Sequence, residues 1–343
     1  MKSRTIKHPT GVEIETPLLI PSFSSKGFAL LKKKINNKPK EVSEIYDVLN
    51  VPAQELLHES LLVSAYDVYH GYIPPLSEIG ITNVVFIDSG GYETSESFDI
   101  SGVNKTRHEV LDWGEEELIR TLSSCPEETS FVIVNFDHGE IRLPFEDQIQ
   151  NADKFFSQFR NRMLTDFLIK PEKKQQPNVV IDDLLRSIHS LNKFDIIGLT
   201  EKELGNSIYD RMINVKKVRK SLDSNGLADK PIHVFGSLDP VTSVLYFFAG
   251  AEIFDGLTWL KFSYHNGMAI YTHNFSVLSE ALGVQSKDKA IALSSLISNV
   301  NYLEKLKFAM RDFSKTRSFD SFNYLNNDKL IEVFEECYNR VKD

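Results

Sequence analysis

Short apolar runs recur along the chain. Each is long enough for a buried strand, and each is followed by polar or glycine-rich residues and then a longer amphipathic stretch. The strand-like runs are Leu18 to Ile20, Val84 to Ile87, Phe131 to Phe136, Phe167 to Ile169, Asp195 to Ile197, Ile232 to Phe235 and Glu252 to Phe254, with a weaker one around Glu55 to Val63. Between them the helical period appears over Phe145 to Arg162, Ile181 to Leu191, Ser207 to Leu222 and Pro240 to Ala249. The last of these has Asp239 as a cap and Pro240 in its first turn. This βα alternation predicts a parallel sheet or barrel. Beyond about residue 275 only helices are predicted, clearest over Ala290 to Phe313 and Asp328 to Val341, as a tail packed on the outside.

At 343 residues one barrel-type domain accounts for the whole chain, 1–343. With 41% hydrophobic and 25% charged residues the composition is that of an ordinary globular protein. No apolar run approaches the roughly 20 residues of a membrane span, and MKSRTIKHPT lacks a secretory signal, so a cytoplasmic protein without a membrane partner is expected. Cys125 and Cys337 stand far apart, which argues against a thiolate metal site or a disulfide framework. The net charge of -9 speaks against nonspecific coating of nucleic acid but leaves room for a local basic patch. Three clusters qualify: Lys32, Lys33, Lys34, Lys38 and Lys40; Lys170, Lys173 and Lys174; and Lys216, Lys217, Arg219 and Lys220.

Candidate chemistry follows from position. Asp88 ends VVFID, Asp137 ends FVIVNFD and Asp255 ends EIFD. In a parallel barrel those strand ends converge on the face that carries active sites, so the three carboxylates are expected in one pocket. Ser89, Gly90 and Gly91 after Asp88, and Gly198 and Gly236 at two other strand ends, allow a backbone to approach a flat ligand closely. Tyr92 adds a ring suited to stacking on a base. PEKKQQP, from Pro171 to Pro177, reads as a loop projecting from the rim.

These residues carry a resemblance. FIDSGGYE resembles the D-S-G-G-F-Q motif of the tRNA-guanine transglycosylases, and IHVFGSLDPVTSVLYFFAGAEIFDGLTWLKFSYHNGMAIY resembles their block from G-x-G-x-P through F-D to N-G. TPLLIPSFSSKG is similar to the N-terminal strand and glycine turn of that family. Leu62 to Asp67 resembles a further segment through Tyr66, VNFD an F-D-E strand, and SNVNYLEKLKFAMRDF the closing helix, with Asn301 at its H-N.

The resemblance implies a (β/α)8 TIM barrel with extra C-terminal helices and a base exchange needing no cofactor. Asp255 would be the nucleophile that forms a covalent glycosyl-enzyme, and Asp88 the general acid and base. Asp137 would read a guanine-like edge, and the backbone at Gly198 and Leu199 would contact its carbonyl or 7-substituent. Lys170 stands where the family has a base-reading glutamine, and Glu93 replaces the last glutamine of the motif. The family's C-x-C-x-x-C…H zinc site is missing, and Leu257, Thr258 and Trp259 replace its P-T-R. These departures turn the expectation from tRNA toward DNA, with a 7-deazaguanine such as preQ0 as incoming base. Lys173 and Lys174 are the candidate nucleic-acid contacts, and helper proteins or a homo-oligomer are potential partners. Three alternatives stay open: an RNA or tRNA enzyme without the zinc module, a catalytically silent scaffold, and a glycosidase- or aldolase-like barrel using Lys170.

Overall fold

The computed structural model describes residues 3–50, 57–79, 82–95, 109–137, 141–283 and 288–342. Eight parallel strands close into a barrel in chain order: β1 (Leu18–Phe23), β2 (Ser60–Ser64), β3 (Val84–Asp88), β4 (Phe131–Val134), β5 (Met163–Ile169), β6 (Ile196–Thr200), β7 (Ile232–Phe235) and β8 (Ile253–Gly256). The last returns to the first through Asp255 beside Ile20. The fold is an α/β TIM barrel, one of the two forms that the alternation allows and the one that the resemblance implies.

Side chains alternate across each strand, so one parity fills the interior and the other meets the helices. Ile20, Leu62, Phe86, Val134, Leu168 and Ile253 share the inner cluster, while Leu19, Val63, Ile87, Ile133, Phe167 and Phe254 belong to the outer one. The inward parity carried one step further brings Ser22, Ser64, Asp88, Lys170 and Asp255 to the C-terminal end. At the opposite end the antiparallel pair Thr5–Lys7 and Glu13–Glu15 places Ile6 and Ile14 in the inner cluster and closes the floor.

Most predicted elements form within a few residues of their expected limits. Asp239 caps the helix Thr242–Ala249 by accepting from the N–H groups of Val241 (2.9 Å) and Thr242 (3.1 Å). The weak strand is Ser60–Ser64, and the Glu55 end of its expected range lies outside the described residues. β4 stops at Val134, short of the expected Phe136, because the Asn135 side chain takes over the pairing. Its Oδ1 accepts from Leu168 N–H at 2.6 Å and its Nδ2 donates to Leu168 O at 3.3 Å, so the chain leaves the sheet before Asp137.

Three hairpins have no counterpart in the apolar pattern: Leu30–Ile35 with Lys38–Ser43, Phe262–His265 with Met268–Tyr271, and the floor pair Thr5–Lys7 with Glu13–Glu15. The first has charges on both faces, which hides the strand period. Its turn is made by Asn36 and Asn37, with φ of 51° and 62°, the left-handed pair that a two-residue hairpin turn requires.

The C-terminal tail is helical, as expected, over Asp288–Thr316 and Asp328–Val341. It is held by an aromatic cluster in which Phe248 meets Phe313, Phe322, Phe334 and Tyr338. Among the described residues no helix is long and apolar enough to cross a membrane.

The long helix is also tied to the barrel by Asn299. This fully buried side chain accepts from Tyr264 N–H at 2.7 Å and donates to the carbonyls of Trp259 and Phe262, each at 2.6 Å. Asn301, the position singled out by the family resemblance, is exposed. Asn299→Leu should therefore cost roughly 3 kcal/mol or more, because three buried backbone groups lose their partner. Asn301→Leu should stay within about 0.5 kcal/mol of wild type in the same urea denaturation series.

Candidate active site

Asp255, near the end of β8, is almost fully buried and is held at both carboxyl oxygens. Ser22 Oγ donates to Oδ2 at 2.7 Å, and the Gly236 N–H donates to Oδ1 at 3.0 Å. Gly236 follows β7 with a φ of 78°, and nothing stands where its side chain would be, which leaves open space beside Asp255. Asp88, the last residue of β3, is partly reached by solvent. Burial, then the charges of Glu93 and Asp255, push it up to about 7, against a weaker pull from the Ser89 N–H. The two carboxyl groups thus share one electrostatic environment.

Beneath Asp255 lies a chain that the apolar pattern did not reveal. His233 and Asp166, both wholly buried on inward positions of β7 and β5, meet through Nδ1 and Oδ2 at 2.6 Å. The other ring nitrogen, Nε2, is 3.3 Å from Asp255 Oδ1, a charge contact without hydrogen-bond geometry. Burial alone would push the imidazole down, but the Asp166 carboxylate, reinforced by Asp255, outweighs it and raises His233 to about 9. Phe235 stacks on the ring at 3.8 Å between centroids. The signal in the sequence was parity: within IHVF, His233 shares the inward face of Phe235. Asp166 likewise interrupts the apolar run MLTDFLI.

The remaining expected residues fall into four groups: the turn after Asp88, the Asp137 and Lys170 pair, Gly198 and Leu199 on β6, and Lys173 and Lys174 on the loop after β5. Ser89, Gly90 and Gly91 form the turn after Asp88, but their compactness is used by the protein itself. A side chain at Gly90 would come within 2.7 Å of Trp113 Nε1, and one at Gly91 within 2.9 Å of the Asp137 carbonyl. Trp113 donates to Ser89 O at 2.9 Å, and the Asp137 N–H reaches Ser89 Oγ at 3.4 Å. Tyr92 has Lys26 Nζ 4.4 Å from its ring centroid, and that ammonium donates to Tyr92 O at 2.6 Å.

Asp137 and Lys170 do meet, at 3.2 Å, and both also contact a cluster that sequence reasoning missed. Lys170 reaches Glu203 at 3.1 Å, while Arg142 lies 3.3 Å from Asp137 and 4.0 Å from Glu203. Burial works against the Lys170 ammonium, yet Asp137 and Glu203 outweigh it and raise its pKa. Gly198 lies within β6, where a side chain would strike the Phe235 ring at 2.6 Å. Leu199 points into the outer core, leaving only its backbone on the barrel wall. Lys173 and Lys174 are exposed on the loop after β5.

No protein-family model matches the chain, and no curated protein matches it.

The wall of the site is braced from behind. Ser64 Oγ donates to buried Glu93 at 2.6 Å and Ser24 Oγ donates to its other oxygen, while the Ser25 N–H donates to Asp67 at 2.6 Å. Burial, then the Glu93 charge, hold Asp67 well above the usual carboxylate range. The arrangement offers one carboxylate fixed by donors, Asp255, and one acid that changes state near neutrality, Asp88.

The buried chain has a consequence for stability. A histidine whose folded pKa lies above its unfolded value contributes fully below about 6.5, and the contribution is lost as pH rises through about 9. For a shift of this size the contribution is on the order of 3 kcal/mol. Urea denaturation at pH 6.5 and pH 9.5 should show a loss in wild type that His233→Gln does not share. Nitrogen NMR should find both ring nitrogens of His233 protonated at pH 7, and a neutral ring there would disprove the assignment.

Proposed function

We propose that this chain is a pentosyl-transferring enzyme that exchanges a guanine in DNA for a 7-deazaguanine of the preQ0 type. The observation that carries the reading is the unequal pair at the open end of the barrel. Asp255 is locked between Ser22, Gly236 and His233, whereas Asp88 is raised to about 7 and so holds a proton for part of the time at neutral pH. Glycosyl transfer with retention needs these two roles on either side of an oxocarbenium-like transition state. The motif resemblance around Asp88 and Asp255 supplies the substrate class.

In this reading an Asp255 oxygen bonds to the anomeric carbon as the bond to the departing base breaks, and the Asp88 proton passes to that base. The product is a glycosyl ester on Asp255. The incoming base then loses a proton to the Asp88 carboxylate, attacks the same carbon and frees Asp255. Asp137 and Lys170 lie together on the rim, where a carboxylate can accept from guanine-like N–H groups and an ammonium can donate to a carbonyl. The target base reaches the site from a single strand or by flipping out of a duplex. Exposed Lys173 and Lys174 are contacts for its phosphates. A 7-deaza base lacks the N7 that assists protonation as a leaving group, so exchange runs essentially one way.

Incubation with single-stranded DNA and preQ0, followed by mass spectrometry of the nucleosides, tests the reading. Wild type should insert the base into DNA and not into matched RNA. Asp255→Asn should abolish insertion and the covalent intermediate, and Asp88→Asn should slow the reaction by about 10²-fold or more. The rate of base release should fall as pH rises through about 7, where Asp88 loses its proton. Modified RNA with untouched DNA, or an active Asp255→Asn protein, would refute the proposal.

A further inference from the structure

Among the described residues the Leu30–Ser43 hairpin is a strongly basic surface element. Between those residues stand Lys32, Lys33, Lys34, Lys38 and Lys40 against a single acid, Glu41, in a chain whose net charge is -9. Its place in the fold is specific. The hairpin follows the C-terminal end of β1, so it belongs to the face where Asp88 and Asp255 lie. The segment leading into it is clamped to that face, since Ser24 donates to Glu93, Ser25 to Asp67, Lys26 to the carbonyls of Tyr92 and Ser95, and Lys261 to the Gly27 carbonyl.

Among the described residues, four cations that follow the C-terminal ends of the strands are engaged by the protein. Lys170 and Arg142 contact Asp137 and Glu203, and Lys26 and Lys261 are bonded to backbone carbonyls. On the hairpin, Lys33 pairs with Asp47, and the Lys40 ammonium occupies the space left by the missing side chain of Gly71. Lys32, Lys34 and Lys38 are exposed and make no ion pair among the described residues. Lys32 and Lys34 share one face, and Lys38 sits next to the Asn36–Asn37 turn. Each strand has six residues, so the hairpin reaches roughly 20 Å. The pairing also sets Lys33 directly opposite Lys40, an arrangement that works against strand pairing. Lysines that serve only to keep an edge from aggregating do not require it.

We propose that this hairpin is an arm that grips the phosphate backbone of single-stranded DNA beside the barrel mouth, with Lys32, Lys34 and Lys38 as its contacts. The inference rests on the base-exchange reading for what happens to the strand once held, but the grip itself is a binding property.

The test is fluorescence anisotropy of the full-length protein with a labelled single-stranded DNA 20-mer between 50 and 200 mM salt, with an RNA of the same sequence alongside. The variants are Lys32→Gln/Lys34→Gln/Lys38→Gln and, for the other rim loop, Lys173→Gln/Lys174→Gln. The hairpin variant should bind at least about tenfold more weakly, with a salt slope shallower by about 2, as three fewer phosphate contacts imply. Unchanged circular dichroism shows that the fold is intact, as expected for exposed positions. Affinity and slope equal to wild type in the hairpin variant, a loss confined to the Lys173/Lys174 variant, tighter binding of the RNA, or no DNA binding by wild type would each overturn the proposal. The base-exchange assay separates the two readings. DNA binding that depends on the hairpin without base insertion retains the arm and removes the transglycosylase, whereas insertion that does not need the hairpin lysines does the reverse.

Discussion

A closed barrel of eight strands has an interior too narrow for bulk solvent, and every second residue of each strand points into it. An ionisable group on that parity must find its partner on another strand or lose its charge. The chain of Asp166, His233 and Asp255 satisfies this constraint across β5, β7 and β8. A core of aliphatic side chains would avoid the desolvation cost. What the ionic chain provides is orientation: Asp255 is held from the side by Ser22 and Gly236, with the His233 ring 3.3 Å away beneath it. Small movements of one strand are then felt at the carboxylate, while open space remains on its Gly236 side.

The second organising feature is the layer of hydroxyls and acids behind the mouth. Glu93 receives Ser24 and Ser64, and Asp67 receives Ser25, so the loop after β1, the end of β2 and the turn after β3 are tied into one unit. Glu93 also contributes to the raised pKa of Asp88. One buried acid therefore serves both the architecture of the wall and the electrostatics of Asp88.

Much of the fold was legible because strands buried on both faces are continuous apolar runs, and those of β3, β7 and β8 stand out from their surroundings. The same logic predicts Asp88 and Asp255 on one face of the barrel, and the charge of Asp255 does act on Asp88. It failed where polar residues do structural work. Asn135 imitates the backbone and shortens β4, and the lysine-rich hairpin is held by its turn and cross-strand pairing rather than by an apolar face. His233 and Asp166 were overlooked because a single polar residue inside an apolar run has no periodicity of its own. Their meaning appears only when the barrel closes and sets β5 and β7 across its interior. The rim glycines were legible as turns but not as packing sites, since Trp113 lies more than twenty residues from Gly90 in the chain.

The floor formed by Ile6 and Ile14 covers one end of the barrel interior. His233 is wholly buried, with Phe235 stacked on its ring and Asp255 beside Nε2, so its proton is shielded from water. The exchange lifetime of that single imidazole proton therefore reports how often the barrel interior opens, readable without any label.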